Sequence, residues 1–69
     1  MVRAKFQCNS VKTTTWGREI EFTVVTTGSP ENEEFFKTTP NGKIILNVKN
    51  EGVVFDIGKN YYVDFTLVE

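Results

Sequence analysis

Histidine is absent from this chain, cysteine and methionine occur once each, and proline occurs twice. Without histidine there is no histidine-based acid–base catalysis, no Ser-His or Cys-His nucleophile pair and no histidine metal site. The lone Cys8 excludes an intramolecular disulfide and a cysteine-based zinc site. A glycine-rich phosphate loop is missing too: Asn41-Gly42-Lys43 reads as a turn, outside any strand–loop–helix context. No apolar run approaches the length of a membrane span, and the first residues lack the apolar core of a signal peptide. The expectation is a soluble, reduced, cytoplasmic protein with no membrane association. Charge of one sign is lacking as well, with eight basic residues against nine acidic for a net charge of -1. Bulk electrostatics therefore does not draw the protein to nucleic acid, and such binding would need a local patch.

Large apolar side chains are what the chain does have: six Phe, two Tyr and one Trp among 69 residues. A domain this small sits near the lower limit for folding unaided, so a few aromatics must fill its core. The C-terminal run carries the clearest pattern. After Gly58-Lys59-Asn60, Tyr61, Val63, Phe65 and Leu67 alternate with Tyr62, Asp64 and Thr66, a period of two that predicts a strand. Val2 to Ser10 alternates likewise, with Val2, Ala4, Phe6 and Cys8 on one side and Arg3, Lys5, Gln7 and Asn9 on the other. Cys8 on the apolar side is a small core residue. Arg18 to Thr27 predicts a second strand with Ile20, Phe22 and Val24 inward, and Lys43 to Lys49 a third with Ile44, Leu46 and Val48 inward. Val11 to Gly17 loses the alternation and reads as a hairpin connection. Trp16 near its tip is either a lid over the end of the core, which a small core favours, or an exposed stacking platform.

Between the second and third strands the character changes. Ser29 suits a helix cap, Pro30 the first helical position, and Glu31, Glu33 and Glu34 the positive end of the helix dipole. This predicts one helix of about two turns over residues 30–37, with Phe35 or Phe36 packing on the sheet. Thr-Thr-Pro-Asn-Gly then makes a turn. Val53-Val54-Phe55-Asp56-Ile57 is apolar but short; it reads as a short strand, with a helical turn as the alternative. The fold class is thus all-β with one short helix: a small five-stranded barrel or roll, single-domain over 1–69 and similar in general shape to the oligonucleotide-binding barrels.

With Gly28-Ser29-Pro30-Glu31-Asn32, Phe35-Phe36-Lys37, Thr39-Pro40-Asn41-Gly42 and Gly58-Lys59-Asn60-Tyr61-Tyr62-Val63-Asp64-Phe65-Thr66 laid out, the chain resembles a group of small phage- and prophage-encoded proteins. These share the patterns S-P-E-N-x-x-F-F-x-x-T-P-x-G and G-K-x-Y-Y-V-D-F-T, and open with a K-F-x-C strand matched here by Lys5-Phe6-Gln7-Cys8. The match spans nearly the whole chain. Two departures stand out: Leu67 where members often have proline, and Val53-Val54-Phe55 where they tend to carry an Ala-rich helical stretch. The group has no assigned activity, so the resemblance implies a viral setting in a host cytoplasm and no mechanism.

No catalytic constellation emerges from the residues, and no cofactor is implied. Asp56 and Asp64 read as solvated carboxylates, since paired-carboxylate chemistry needs two groups converging in a cleft. Glu31, Glu33 and Glu34 are a helix-start charge run without other ligand types beside them. The protein is expected to be a non-enzymatic binding protein. One candidate partner is single-stranded DNA or RNA, held by a stripe of Arg3, Lys5, Lys43, Ile45 and Lys49 with Tyr62 or Trp16 stacking a base. Glu19 and Glu21 oppose it, because they lie on the strand that faces the ligand in oligonucleotide-binding barrels. The alternative is a protein-interaction module, an inhibitor or adaptor acting on a host or viral protein through exposed Ile45, Val25 and Tyr62. Self-association through an edge strand belongs to the same class.

Overall fold

The computed structural model describes residues 2–69. Its elements are β1 (Val2–Thr14), β2 (Gly17–Val24), α1 (Pro30–Phe36), β3 (Lys43–Val48) and β4 (Asn60–Phe65). The four strands form one antiparallel sheet in the order β3-β2-β1-β4. The mostly-β expectation with one short helix holds. The closed five-stranded barrel does not: the sheet is open, and residues 53–57 form no strand. The result is a slab of 39 × 32 × 16 Å.

A single inserted residue shapes β1. Cys8 pairs with Phe22 and Ser10 with Glu21, so Asn9 is a β-bulge. The bulge shifts the alternation, placing Val11 on the same face as Cys8, Phe6 and Ala4. This is why residues 11–14 show no period of two continuous with 2–8, yet belong to the same strand. The hairpin connection shrinks to Thr15-Trp16. Gly17 closes it at φ 140°, where a Cβ would lie 2.6 Å from the Val48 carbonyl oxygen, so glycine is required there.

The core consists of Ala4, Phe6, Cys8, Ile20, Phe22 and Val24, all buried, with Val11, Phe36, Ile44, Val48, Phe55, Tyr61 and Val63 packed against it. Phe36, not Phe35, is the helical phenylalanine that joins it. Leu46, Phe65 and Leu67 depart from the expected interior at 40%, 50% and 83% exposure. Their periodicity is inward, but an open sheet supplies no opposite wall to cover them. Trp16, 80% exposed, is not a lid.

Phe55 supplies the cover that a fifth strand would have given. Its ring meets Phe22 edge-on at 5.0 Å and Tyr61 at 5.1 Å. The loop carrying it is pinned by Arg18, whose guanidinium donates to the carbonyls of Asn50 at 2.8 Å and Val53 at 2.5 Å. The Tyr61 hydroxyl completes the anchorage by accepting from the Asp56 N–H at 2.9 Å.

Helix α1 lies beside the first residues of β1, where β2 has already ended. Ser29 caps it, accepting from the Asn32 N–H, and Pro30 occupies the start. Asn32 is fully buried. Its side-chain oxygen accepts from the Lys5 N–H at 2.6 Å, and its side-chain nitrogen donates to the carbonyls of Lys5 at 2.8 Å and Val25 at 2.7 Å. One side-chain amide thus stands in for a peptide unit and extends the β2 side of the ladder past the end of β2.

Candidate functional site

The outer face of the sheet follows from the register. Lys43 sits opposite Thr23, Ile45 opposite Glu21, and Asn47 opposite Glu19. On the other half, Arg3 faces Asp64 and Lys5 faces Tyr62. Because β2 lies between β1 and β3, Glu19 and Glu21 separate the two lysine-bearing strands. The seven sequence-predicted site residues accordingly fall into three groups rather than one stripe.

Arg3, Lys5 and Tyr62 form the first group, on β1 and β4. The Arg3 guanidinium lies 4.6 Å from the Tyr62 ring centre and the Lys5 ammonium 5.5 Å from it. Each cation also has a carboxylate: Arg3 Nε is 2.6 Å from Asp64, and Lys5 Nζ is 3.9 Å from Glu31. The Tyr62 hydroxyl donates to Glu31 at 2.9 Å. Glu31 therefore ties the helix start to the sheet, a role its place in an acidic run gave no sign of.

These contacts set the protonation of the cluster. The Glu31 carboxyl is lowered to about 2, first by its own backbone N–H, then by the Tyr62 and Ser29 hydroxyls. The hydrogen bond to Arg3 lowers Asp64, and the same contact raises Arg3. Glu31 in turn raises Tyr62. A carboxyl lowered on folding stabilises the folded state above its unfolded value, and that contribution disappears as pH falls towards the folded value. Urea stability should therefore decline as pH drops from 5 to 2. In Glu31→Gln that decline should be shallower; an unchanged slope would show that Glu31 gains nothing from these contacts on folding.

Lys43 and Ile45 form the second group, on the β3 edge, with Lys43 Nζ 3.9 Å from Glu21. Trp16 and Lys49 form the third. They line a concavity of about 570 Å³ at the hairpin end, together with Arg18 and Glu19. Among the described residues Lys49 takes part in no ion pair.

A further set of exposed apolar side chains lies at the opposite end of the molecule. Val2 and Phe65 are cross-strand partners, both about half exposed, and the Phe35 ring lies 6.1 Å from that of Phe65. Leu67 and Val68 lie just beyond β4, after Thr66, almost wholly exposed. The sequence reading missed this strip because it placed Phe65 and Leu67 inside.

Among the described residues no group of three or more Cys, Asp and Glu side chains is placed to hold a metal ion. Among the same residues no helix is long and apolar enough to cross a membrane. Buried Cys8 has its thiol pushed up, by desolvation first and by Asp56 second, which opposes the thiolate that reactive cysteines need. No family model matches this chain, and no curated protein and no solved structure matches it either.

Proposed function

We propose that the chain is a non-enzymatic protein-interaction module, working in the viral setting its resemblance implies, and that the β4 edge is its working surface. The observation that carries this is the half-exposed strip of Val2, Phe35 and Phe65 beside a strand with a free edge. An unpaired strand offers its backbone groups to an incoming strand, while flanking apolar side chains supply affinity. Arg3 and Lys5, the cations on the neighbouring strand, are held by carboxylates, which weakens the case for a nucleic-acid backbone there.

The test is selection of random peptides on the immobilised protein. Enriched peptides should be extended, with alternating apolar residues, and should lose at least about tenfold in affinity, ~1.4 kcal/mol, to Phe65→Lys. Absence of enrichment, or peptides indifferent to that change, would overturn the reading.

One observation favours a second reading, single-stranded nucleic acid. The exposed Trp16 lies beside Lys49 and Arg18, the pairing of aromatic platform and cation that stacks and holds a strand. Under this reading a 20-base strand quenches Trp16 fluorescence, salt weakens the effect, and Lys49→Glu abolishes it while Lys43→Glu does not. Unchanged fluorescence at low salt removes nucleic acid.

A further inference from the structure

The two edges of the sheet are not equivalent. β3 begins at Lys43, and Lys49 follows its last residue; lysine on an edge opposes strand addition, because a docked strand would crowd and desolvate its charge. β4 carries no lysine between Asn60 and Phe65, and Lys59 stands just before it, so of the two edge strands only β3 has a lysine inside it. The one charge on β4, Asp64, is bound to Arg3 at 2.6 Å.

Backbone directions fix which β4 groups are free. Cys8 bonds toward β4 with both its groups, its N–H to the Lys59 carbonyl at 2.9 Å and its C=O from the Gly58 N–H at 2.8 Å. Alternation along β1 then turns Phe6, Ala4 and Val2 toward their partners Tyr61, Val63 and Phe65. Asn60, Tyr62 and Asp64 are left with N–H and C=O pointing away from the sheet. Among the described residues no strand pairs with them.

We propose that this edge binds a second copy of the chain, β4 antiparallel to β4, in a closed two-fold dimer. The proposal rests on the interaction-module reading and names its partner. The β4 sequence is self-complementary in one register. With Val63 on the axis, Tyr61 lies opposite Phe65 of the second copy and Tyr62 opposite Asp64, so aromatic meets aromatic on the inner face and no charge meets its like. Tyr62 and Asp64 are then the backbone-bonded pairs, as their outward groups require. With Asp64 on the axis two carboxylates would face each other, and with Tyr62 there Phe65 would meet Lys59. An offset by one residue would turn the apolar set of one copy to the solvent face of the other.

An isologous contact of this kind uses up both β4 edges. The joined sheet would end in two β3 edges, each bearing its lysines, so growth stops at the dimer.

The experiment is sedimentation equilibrium on the full chain from low micromolar to near-millimolar concentration, with amide hydrogen exchange at each end of the range. Expected are a doubling of mass without larger species, and protection of the Tyr62 and Asp64 amides that appears only as the mass doubles. Phe65→Lys and Asp64→Pro should each raise the dissociation constant at least about tenfold. The second removes an outward-pointing N–H, which an edge strand tolerates; circular dichroism checks that both variants remain folded. Lys43→Ser on the opposite edge should leave the dimer intact. A wild-type monomer throughout, or folded variants that dimerise as tightly as wild type, would overturn the proposal. A monomer that still selects strand-like peptides would overturn the second copy as occupant while leaving the interaction module in place.

Discussion

Asn32→Ala is expected to cost about 3 kcal/mol or more, although it removes no apolar surface to speak of. The side-chain amide makes three hydrogen bonds to backbone groups of β1 and the end of β2, from a fully buried position. Truncation leaves the Lys5 N–H without that partner and strips one donor from each of two carbonyls. Leaving a buried polar group unsatisfied costs roughly 1–3 kcal/mol, well above the net value of an ordinary hydrogen bond. At about 4–8 °C per kcal/mol for a domain of this size, the melting temperature should fall by roughly 12–24 °C. Asn47→Ala, at an exposed position on β3, should stay within about 0.5 kcal/mol of wild type. A similar loss for both would mean that the helix is not joined to the sheet through Asn32.

The second large effect separates two phenylalanines that the alternation treats alike. Phe22 is 4% exposed and touches both Phe55 and Tyr61 edge-on. Its replacement by alanine removes the centre of an aromatic trio, at about 3–5 kcal/mol, which rivals the whole stability of a small domain. Phe22→Ala should be unfolded without a stabilising co-solvent. Phe65 is 50% exposed, so Phe65→Ala forfeits about half the transfer term and should cost about 1–2 kcal/mol. Urea titrations of the two variants at matched, low concentration distinguish them. Equal losses would show that the inner face near β4 is covered as fully as the centre.

The same pair shows how far the sequence could be read. Period-two spacing identified the inward face of β1 as far as Cys8 and of the other three strands, and Ala4, Phe6, Cys8, Ile20, Phe22 and Val24 are indeed the buried set. Spacing reports direction, however, and burial also requires something opposite. Phe65 and Leu46 point inward at the margins of a sheet that never closes, so they remain partly wet. The bulge at Asn9 concealed the second half of β1 by shifting its phase, and the unexplained loss of alternation at Val11 was its only signal. Phe55 was visible as part of an apolar run, but no local pattern says that one ring can replace a strand. Asn32 lay hidden for a different reason. A helix-start asparagine looks like local capping chemistry, whereas its partners Lys5 and Val25 are distant in sequence.

For the candidate site, residue types were legible and their grouping was not. Arg3, Lys5 and Tyr62 do come together, but strand order decides that Lys43 does not join them, and order depends on which edges the last strand finds.

That last point bears on how the molecule assembles. β1 is flanked by β2, reached through a two-residue turn, and by β4, the final strand, which brings Phe65 alongside Val2. The β1–β2 hairpin can form on the microsecond scale typical of hairpins, and β3 can extend it, before β4 is available. Throughout that interval the open side of β1 is a template for any β4, whether its own or that of another molecule in the same unfinished state. Closing the long intervening loop costs little extra free energy per added residue, so β4's own tether keeps the intramolecular choice favoured at low concentration. Crowded synthesis of many copies at once shifts that competition toward strand exchange.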